Sequence, residues 1–108
     1  MIPTTITVRH SEIPDALRAH ALTVVDRIST FAKRPLEAHV VFDVDGTSAT
    51  AELRLHVSHG DVFVATGQAP DHRTALDRAE AKLRRQLERT VGRLRQARQS
   101  APMSRTLL

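Results

Sequence analysis

The amino-acid sequence predicts an α+β fold with the element order β-α-β-β-β-α. Two segments carry apolar residues at helical spacing, and four shorter segments alternate apolar and polar residues. The third strand is apolar on one side only, so we expect a four-stranded mixed sheet with both helices on one face. The first strand should lie parallel to the second, because the helix between them makes a right-handed crossover.

The N-terminal segment predicts the first strand and the first helix. Residues 4–9 alternate, which is typical of a strand with one covered face. Pro14 suits the first turn of a helix, where its missing N–H is not needed. Helical spacing continues to Phe31 and cannot pass Pro35, so the first helix is predicted from Pro14 to about Phe31.

The middle of the chain predicts two hairpins. Asp45-Gly46 and His59-Gly60 are turn signals between alternating runs, and the Asp-Gly pair is a strong one. The three strands that these turns connect are predicted over residues 36–44, 48–58 and 61–68.

The longest predicted element is a second helix from Asp71 to about Ala97, with Asp71 as its N-cap. Its apolar side, which should pack on the sheet, is formed by Leu76, Ala79, Leu83, Leu87, Val91 and Leu94. Acids occupy one flank beside Arg84 and Arg95, and Glu80 is expected to pair with Arg84 at the favourable i,i+4 spacing.

A row of bases without an intervening acid, here called the basic ridge, lies roughly opposite the apolar side of this helix. Its members follow one another at spacings of three or four: Arg78, Lys82, Arg85, Arg89 and Arg93. Arg is a good helix former that keeps a surface hydrated, so the ridge has a purely solvating interpretation. The sorting of charge favours a polyanionic partner instead.

Composition sets the broad class. The 108 residues predict a single domain over residues 1–99, followed by a flexible C-terminal tail over residues 100–108. The chain has no Cys, which excludes disulfides and cysteine zinc sites. No segment is long enough to span a bilayer and the N-terminus lacks the pattern of a signal peptide, so we expect a soluble cytoplasmic protein. Three Phe without Tyr or Trp argue against recognition of bases by stacking.

The sequence offers no convincing catalytic site. His56, His59 and Asp61 are the nearest approach to a cluster, and we interpret them as strand and turn residues rather than metal ligands. No Gly-rich phosphate loop, nucleophile elbow or pair of carboxylates is recognisable. We therefore predict a binding protein without enzymatic activity, cofactor, metal or small-molecule substrate. In outline the fold resembles a double-stranded RNA-binding domain, although such domains lack the first strand of this chain.

Several stretches together resemble one known family. The opening run Ile6-Thr7-Val8-Arg9-His10-Ser11-Glu12-Ile13-Pro14-Asp15-Ala16-Leu17 is followed much later by Asp71, Ala75-Leu76-Asp77 and Ala81-Lys82-Leu83-Arg84-Arg85-Gln86-Leu87. In order and spacing these are similar to the ribosome hibernation promoting factor and ribosome-associated inhibitor family, from about Thr5 to Arg98. Three positions depart from the family pattern: Val8 replaces a usual Gly, Pro14 a usual Thr, and Arg73 a usual aromatic.

This resemblance implies a translation inhibitor that occupies the mRNA–tRNA channel of the small ribosomal subunit in stress or stationary phase. It implies ribosomal RNA contacts at Lys82, Arg85 and Arg89 of the second helix and at Arg9 after the first strand. Arg78 and Arg93 extend that surface by geometry alone. Long members of the family carry a second domain, which residues after Arg98 could not build, so a short form or an N-terminal piece is expected.

Two other functions remain open from the sequence. One is a module that recognises the shape of duplex RNA without the ribosome. The other is a protein–protein interaction domain whose exposed fourth strand or tail binds a partner, with the basic ridge merely hydrated.

Overall fold

The structure is a computed structural model that describes the backbone of residues 2–106 and the side chains of residues 2–90. It confirms the predicted element order. The elements are β1 (Thr4–Val8), α1 (Asp15–Ser29), β2 (Pro35–Asp45), β3 (Ser48–Val57), β4 (Val62–Ala69) and α2 (His72–Thr106), with a short 3₁₀ turn at Ser58–Gly60. Each strand boundary lies within one residue of its predicted position.

The four strands form one mixed sheet in the order β1-β2-β3-β4. β1 pairs with β2 in parallel, and the two hairpins make β2–β3 and β3–β4 antiparallel. The predicted α+β fold class is therefore confirmed. β1 and β4 are the two edges of the sheet, which decides where the basic residues lie relative to one another.

Both helices cover the same face of the sheet, as predicted. The core combines the inward side of β3, including Leu53 and Leu55, with Val24 and Ile28 from α1 and Leu83 from α2. Each of these side chains is at most 1 % exposed. The opposite face of the sheet carries polar residues and is not covered by a helix in the part of the chain that the structure describes. Val91 and Leu94 lie outside the described side chains.

The ends of the helices differ from the prediction. α1 ends at Ser29, and Phe31 follows it in a turn where its N–H still bonds to the Ile28 carbonyl at 3.0 Å. Pro14 is the N-cap of α1 rather than a residue of its first turn. α2 continues past the predicted end near Ala97 to Thr106, so the sequence placed that end too early. The domain boundary at residue 99 and the flexible tail over residues 100–108 stay predictions.

The start of α2 was predicted correctly. The Thr74 N–H and hydroxyl donate to the two carboxylate oxygens of Asp71, at 2.9 and 2.8 Å, which makes Asp71 the N-cap. These hydrogen bonds lower the pKa of Asp71 below its ordinary value, because they stabilise the ionised carboxylate. The cap fixes the residue at which α2 begins and hence the direction of every side chain along it.

The backbones of β4 and α2 contact each other directly at Gly67. A Cβ at this position would fall well inside van der Waals contact of the Ala75 carbonyl oxygen and 2.7 Å from the Ala79 nitrogen. Ala75 and Ala79 are themselves fully buried. Small residues on both elements therefore let the helix lie close enough for its flank to reach the outer edge of β4.

No helix among the described residues is both long and apolar enough to cross a membrane.

Candidate nucleic-acid interface

The acidic flank of α2 faces α1. Glu80 accepts two hydrogen bonds from the Arg27 guanidinium of α1, at 2.8 and 2.9 Å, and Asp77 lies 3.1 Å from His20 Nε2. The hydrogen bonds and charge of Glu80 raise the pKa of Arg27 above its ordinary value. These contacts hold the two helices together and partly neutralise the acids of α2.

The predicted ion pair between Glu80 and Arg84 was wrong. Arg84 instead donates to Glu88 at 3.1 Å, and its guanidinium carbon lies 4.6 Å from the centre of the Phe31 ring, within the range of a cation–π contact. Glu80 forms its ion pair with Arg27, because a partner on a packed neighbouring helix competes with the weak i,i+4 partner on the same helix.

The basic ridge lies on the opposite flank of α2, towards the edge strand β4. Its side chains at Arg78, Lys82, Arg85 and Arg89 are exposed. Two of them have partners: an Arg78 Nη donates to the Gln68 carbonyl at 2.6 Å, and Lys82 Nζ donates to the Thr66 carbonyl at 2.9 Å. The sequence placed the ridge roughly opposite the apolar side of the helix. In the structure, Arg78 and Lys82 lean towards the sheet edge instead.

A third side chain, which the sequence analysis did not single out as functional, continues this pattern. Gln86 Nε2 donates to the Val64 carbonyl at 2.9 Å. We call Arg78, Lys82 and Gln86 the edge cap. Four residues of helix rise about 6.0 Å and two residues of strand about 6.8 Å, so side chains at every fourth helical position match alternate residues of an antiparallel strand. The spacing of 78, 82 and 86 was visible in the sequence, but their partners were not.

The edge cap divides the predicted ridge. Arg85 and Arg89 make no hydrogen bond or ion pair among the side chains that the structure describes. The chain has no acidic side chain after Glu88, which leaves this end of α2 strongly basic. Arg93, the last predicted member, lies outside the described side chains. Arg85 and Arg89 are thus the described members of the ridge that keep all their donors for an anionic partner.

Arg9 does not join the ridge. It follows β1, and its N–H donates to the Phe42 carbonyl at 2.8 Å. Three strand spacings, about 14 Å, separate β1 from β4 across the sheet.

His10, the residue after Arg9, adopts a left-handed backbone conformation (φ 57°), and its Nδ1 lies 3.0 Å from an Asp43 carboxylate oxygen. Hydrogen bonds from His10 and from the Val44 N–H lower the pKa of Asp43.

The turn that contains His59 shows no metal-binding geometry in the described residues. His59 adopts a left-handed conformation (φ 71°) in the 3₁₀ turn, and no group of three His, Cys, Asp or Glu side chains is placed to hold a metal ion within that part of the chain. His59 and Asp61 instead border an open cavity of about 420 Å³, with Phe31, Phe63 and Leu87 among the apolar residues of its walls. Turn chemistry accounts for the conformation of these residues.

Comparison with known proteins identifies the family. Residues 4–95 match the model of the family described as sigma 54 modulation protein / S30EA ribosomal protein. The chain belongs to this family. The resemblance to ribosome hibernation factors is thereby confirmed, and members of the S30EA family are ribosome-associated factors rather than enzymes. No curated protein sequence matches the chain.

Two solved structures show the same fold as this S30EA family member. The N-terminal domain of Protein Y from Thermus thermophilus has 28 % sequence identity and a TM-score of 0.72, covering 83 % of this chain and 99 % of that one. A ribosomal subunit interface protein from Coxiella burnetii has 16 % identity and a TM-score of 0.74, covering 84 % of this chain and 99 % of its own.

The three departures from the hibernation-factor pattern are accommodated structurally. Val8 is half-buried and packs against the core from β1. Pro14 supplies a carbonyl that accepts hydrogen bonds from the N–H groups of Leu17 and Arg18, at 3.0 and 3.2 Å. Arg73 is exposed in the first turn of α2.

Proposed function

We propose that this protein binds the small ribosomal subunit in the cytoplasm and inhibits translation by occupying the channel of messenger and transfer RNA. Its partner there is ribosomal RNA, bound through the basic flank of α2. One observation carries the proposal: acids and bases are separated across α2. Asp77 and Glu80 face α1, whereas Arg85 and Arg89 are exposed on the other flank. Family membership supports the ribosome as the source of that RNA.

The mechanism that we propose is occupancy. Arginine and lysine contacts to phosphates position a protein on RNA but carry little information about base sequence. The bulk of the domain then excludes other ligands of the channel. The site requires no cofactor and no proton transfer. Because phosphate contacts release counterions, affinity should fall steeply with salt concentration.

Co-sedimentation with small ribosomal subunits tests this function. The wild type should travel with the subunit at low salt, and Arg85→Glu/Arg89→Glu should bind on the order of 100-fold more weakly, since each reversal replaces attraction to phosphate by repulsion. Arg18→Glu/Lys33→Glu is the matched control, because it makes the same change in net charge at two exposed bases that form no ion pair among the described residues.

Three outcomes separate the candidate functions. Loss of binding in the ridge variant but not in the control supports the proposal. Equal competition by a bare RNA hairpin would favour a module for duplex RNA instead. If the folded wild type stays at the top of the gradient at low salt, ribosome binding is refuted and a protein partner becomes the alternative to pursue.

A further inference from the structure

Along residues 64–68, the outer edge of β4 presents N–H donors, whereas its outward carbonyls already accept hydrogen bonds. Val64, Thr66 and Gln68 alternate along this edge, and their carbonyls point away from β3 to reach the edge cap of α2. In an antiparallel pair the N–H and C=O of one residue point to the same side, so the N–H groups of these residues also point outward. Groups that point outward do not bond to β3, and no backbone hydrogen bond outside the sheet uses these N–H groups among the residues described.

The edge cap changes what this strand can bind. An ordinary edge offers N–H and C=O groups in alternation and therefore accepts another β-strand. Here the three carbonyls are already hydrogen-bonded, and the side chains that occupy them would obstruct an incoming strand. The accessible groups are N–H donors, accompanied by the positive charges of Arg78 and Lys82.

We propose that this edge binds the phosphodiester backbone of an RNA strand, with phosphate oxygens accepting hydrogen bonds from the outward N–H groups of β4. The proposal rests on the proposed function, since it takes ribosomal RNA as the partner, and it adds a backbone contact surface beside Arg85 and Arg89. Phosphates accept hydrogen bonds and donate none, which complements a donor-only edge. Successive outward residues lie about 6.8 Å apart, which suits successive phosphates of an extended strand.

The residues of the edge cap contribute in two ways. Arg78 uses one of its five N–H donors on Gln68, and Lys82 uses one of three on Thr66, so each keeps donors for an anion. Their hydrogen bonds to the strand also hold both cations beside the edge. Gln86 covers the Val64 carbonyl without adding charge, at the end of the edge nearest to Arg85 and Arg89.

A proline substitution in the edge strand tests the proposal. Thr66→Pro removes one outward N–H, and proline is tolerated in an edge strand where that N–H is not part of the ladder. We expect affinity for small subunits to fall about tenfold, the effect of one charge-assisted hydrogen bond. Thr66→Ala, which shortens the side chain but keeps the N–H, should bind like the wild type.

Salt dependence distinguishes backbone contacts from charge contacts. Thr66→Pro should leave the slope of log affinity against log salt unchanged, because it removes no charge. Lys82→Gln can retain a hydrogen bond to Thr66 but should reduce the slope by about 0.7 to 0.9, one phosphate contact. If Thr66→Pro is folded by circular dichroism and binds subunits like the wild type, the proposal is refuted.

Amide NMR with a short oligouridylate tests the proposal on the wild type, even if Thr66→Pro does not fold. The amide protons of Val64, Thr66 and Gln68 should shift downfield on titration of the wild type, and unshifted resonances would overturn the edge site. Binding of subunits without these shifts would support the proposed function and refute the edge site. Shifts without subunit binding would support the edge as an RNA contact and refute ribosome binding.

Discussion

Gly67→Ala should destabilise the protein by about 3 kcal/mol or more, a large part of the stability of an ordinary domain. The new methyl group would collide with the carbonyl oxygen of Ala75 and the nitrogen of Ala79. Both are backbone atoms, so neither can turn aside as a side chain does. α2 must move away from β4, which opens the core and separates the edge cap from its carbonyls. The free energy of unfolding in urea measures the loss.

Two controls isolate the steric origin of this effect. Gly46→Ala adds a methyl group where no atom lies within 4 Å, but at a φ of 62°, and should cost only about 1–2 kcal/mol of conformational strain. Ala75→Gly should fail to rescue Gly67→Ala, because it leaves the obstructing carbonyl in place. An equal cost for the two glycine substitutions would show that α2 can lift from the sheet without penalty.

Leu83→Ala should cost about 3 kcal/mol, within the range for buried leucines. Leu83 is 0 % exposed in the core between α2 and the sheet, so its truncation removes apolar burial and leaves a cavity. Leu36→Ala makes the same chemical change at a side chain that is 55 % exposed, and should stay within about 0.5 kcal/mol of the wild type. Urea unfolding of the two variants gives the comparison.

Ribosome binding should respond differently from stability in these leucine variants. Neither substitution touches a basic residue of α2, so the affinity of the folded fraction for small subunits should equal that of the wild type. A loss of affinity in fully folded Leu83→Ala would mean that the orientation of α2 depends on its core packing more closely than we expect. The same measurement on Arg85→Glu/Arg89→Glu should show the reverse pattern, with weak binding at near-normal stability.

The strands were predictable because their signal is local. Alternation of period two in residues 48–57 identifies both a strand and its buried face, and Asp45-Gly46 fixes the turn before it. The N-cap at Asp71 was predictable for the same reason, since its partner Thr74 is only three residues away. The end of α2 was not predicted, because the apolar spacing ends before the helix does and the helix continues through Ser100 and Pro102, which are poor helix formers.

The candidate interface was predictable only in part. A helical wheel gives the angle of a side chain around its own axis but not the neighbour that it meets. It therefore grouped Arg78 and Lys82 with Arg85 and Arg89, omitted Gln86, and paired Glu80 with Arg84. Each of these assignments depended on where α1 and β4 lie beside α2, which is settled by packing between residues far apart in the chain.

The sequence by itself determined the order of the elements, the apolar faces that make the core, and the excess of positive charge on α2. These follow from periodicity and composition, which act over a few residues. Only the tertiary structure decided that the acids of α2 face α1, that the edge cap donates hydrogen bonds to the carbonyls of β4, and that Arg9 lies across the sheet from the ridge. The close approach permitted by Gly67 sets the distance between β4 and α2, and the strand order places Arg9 at the far edge; local sequence can specify neither.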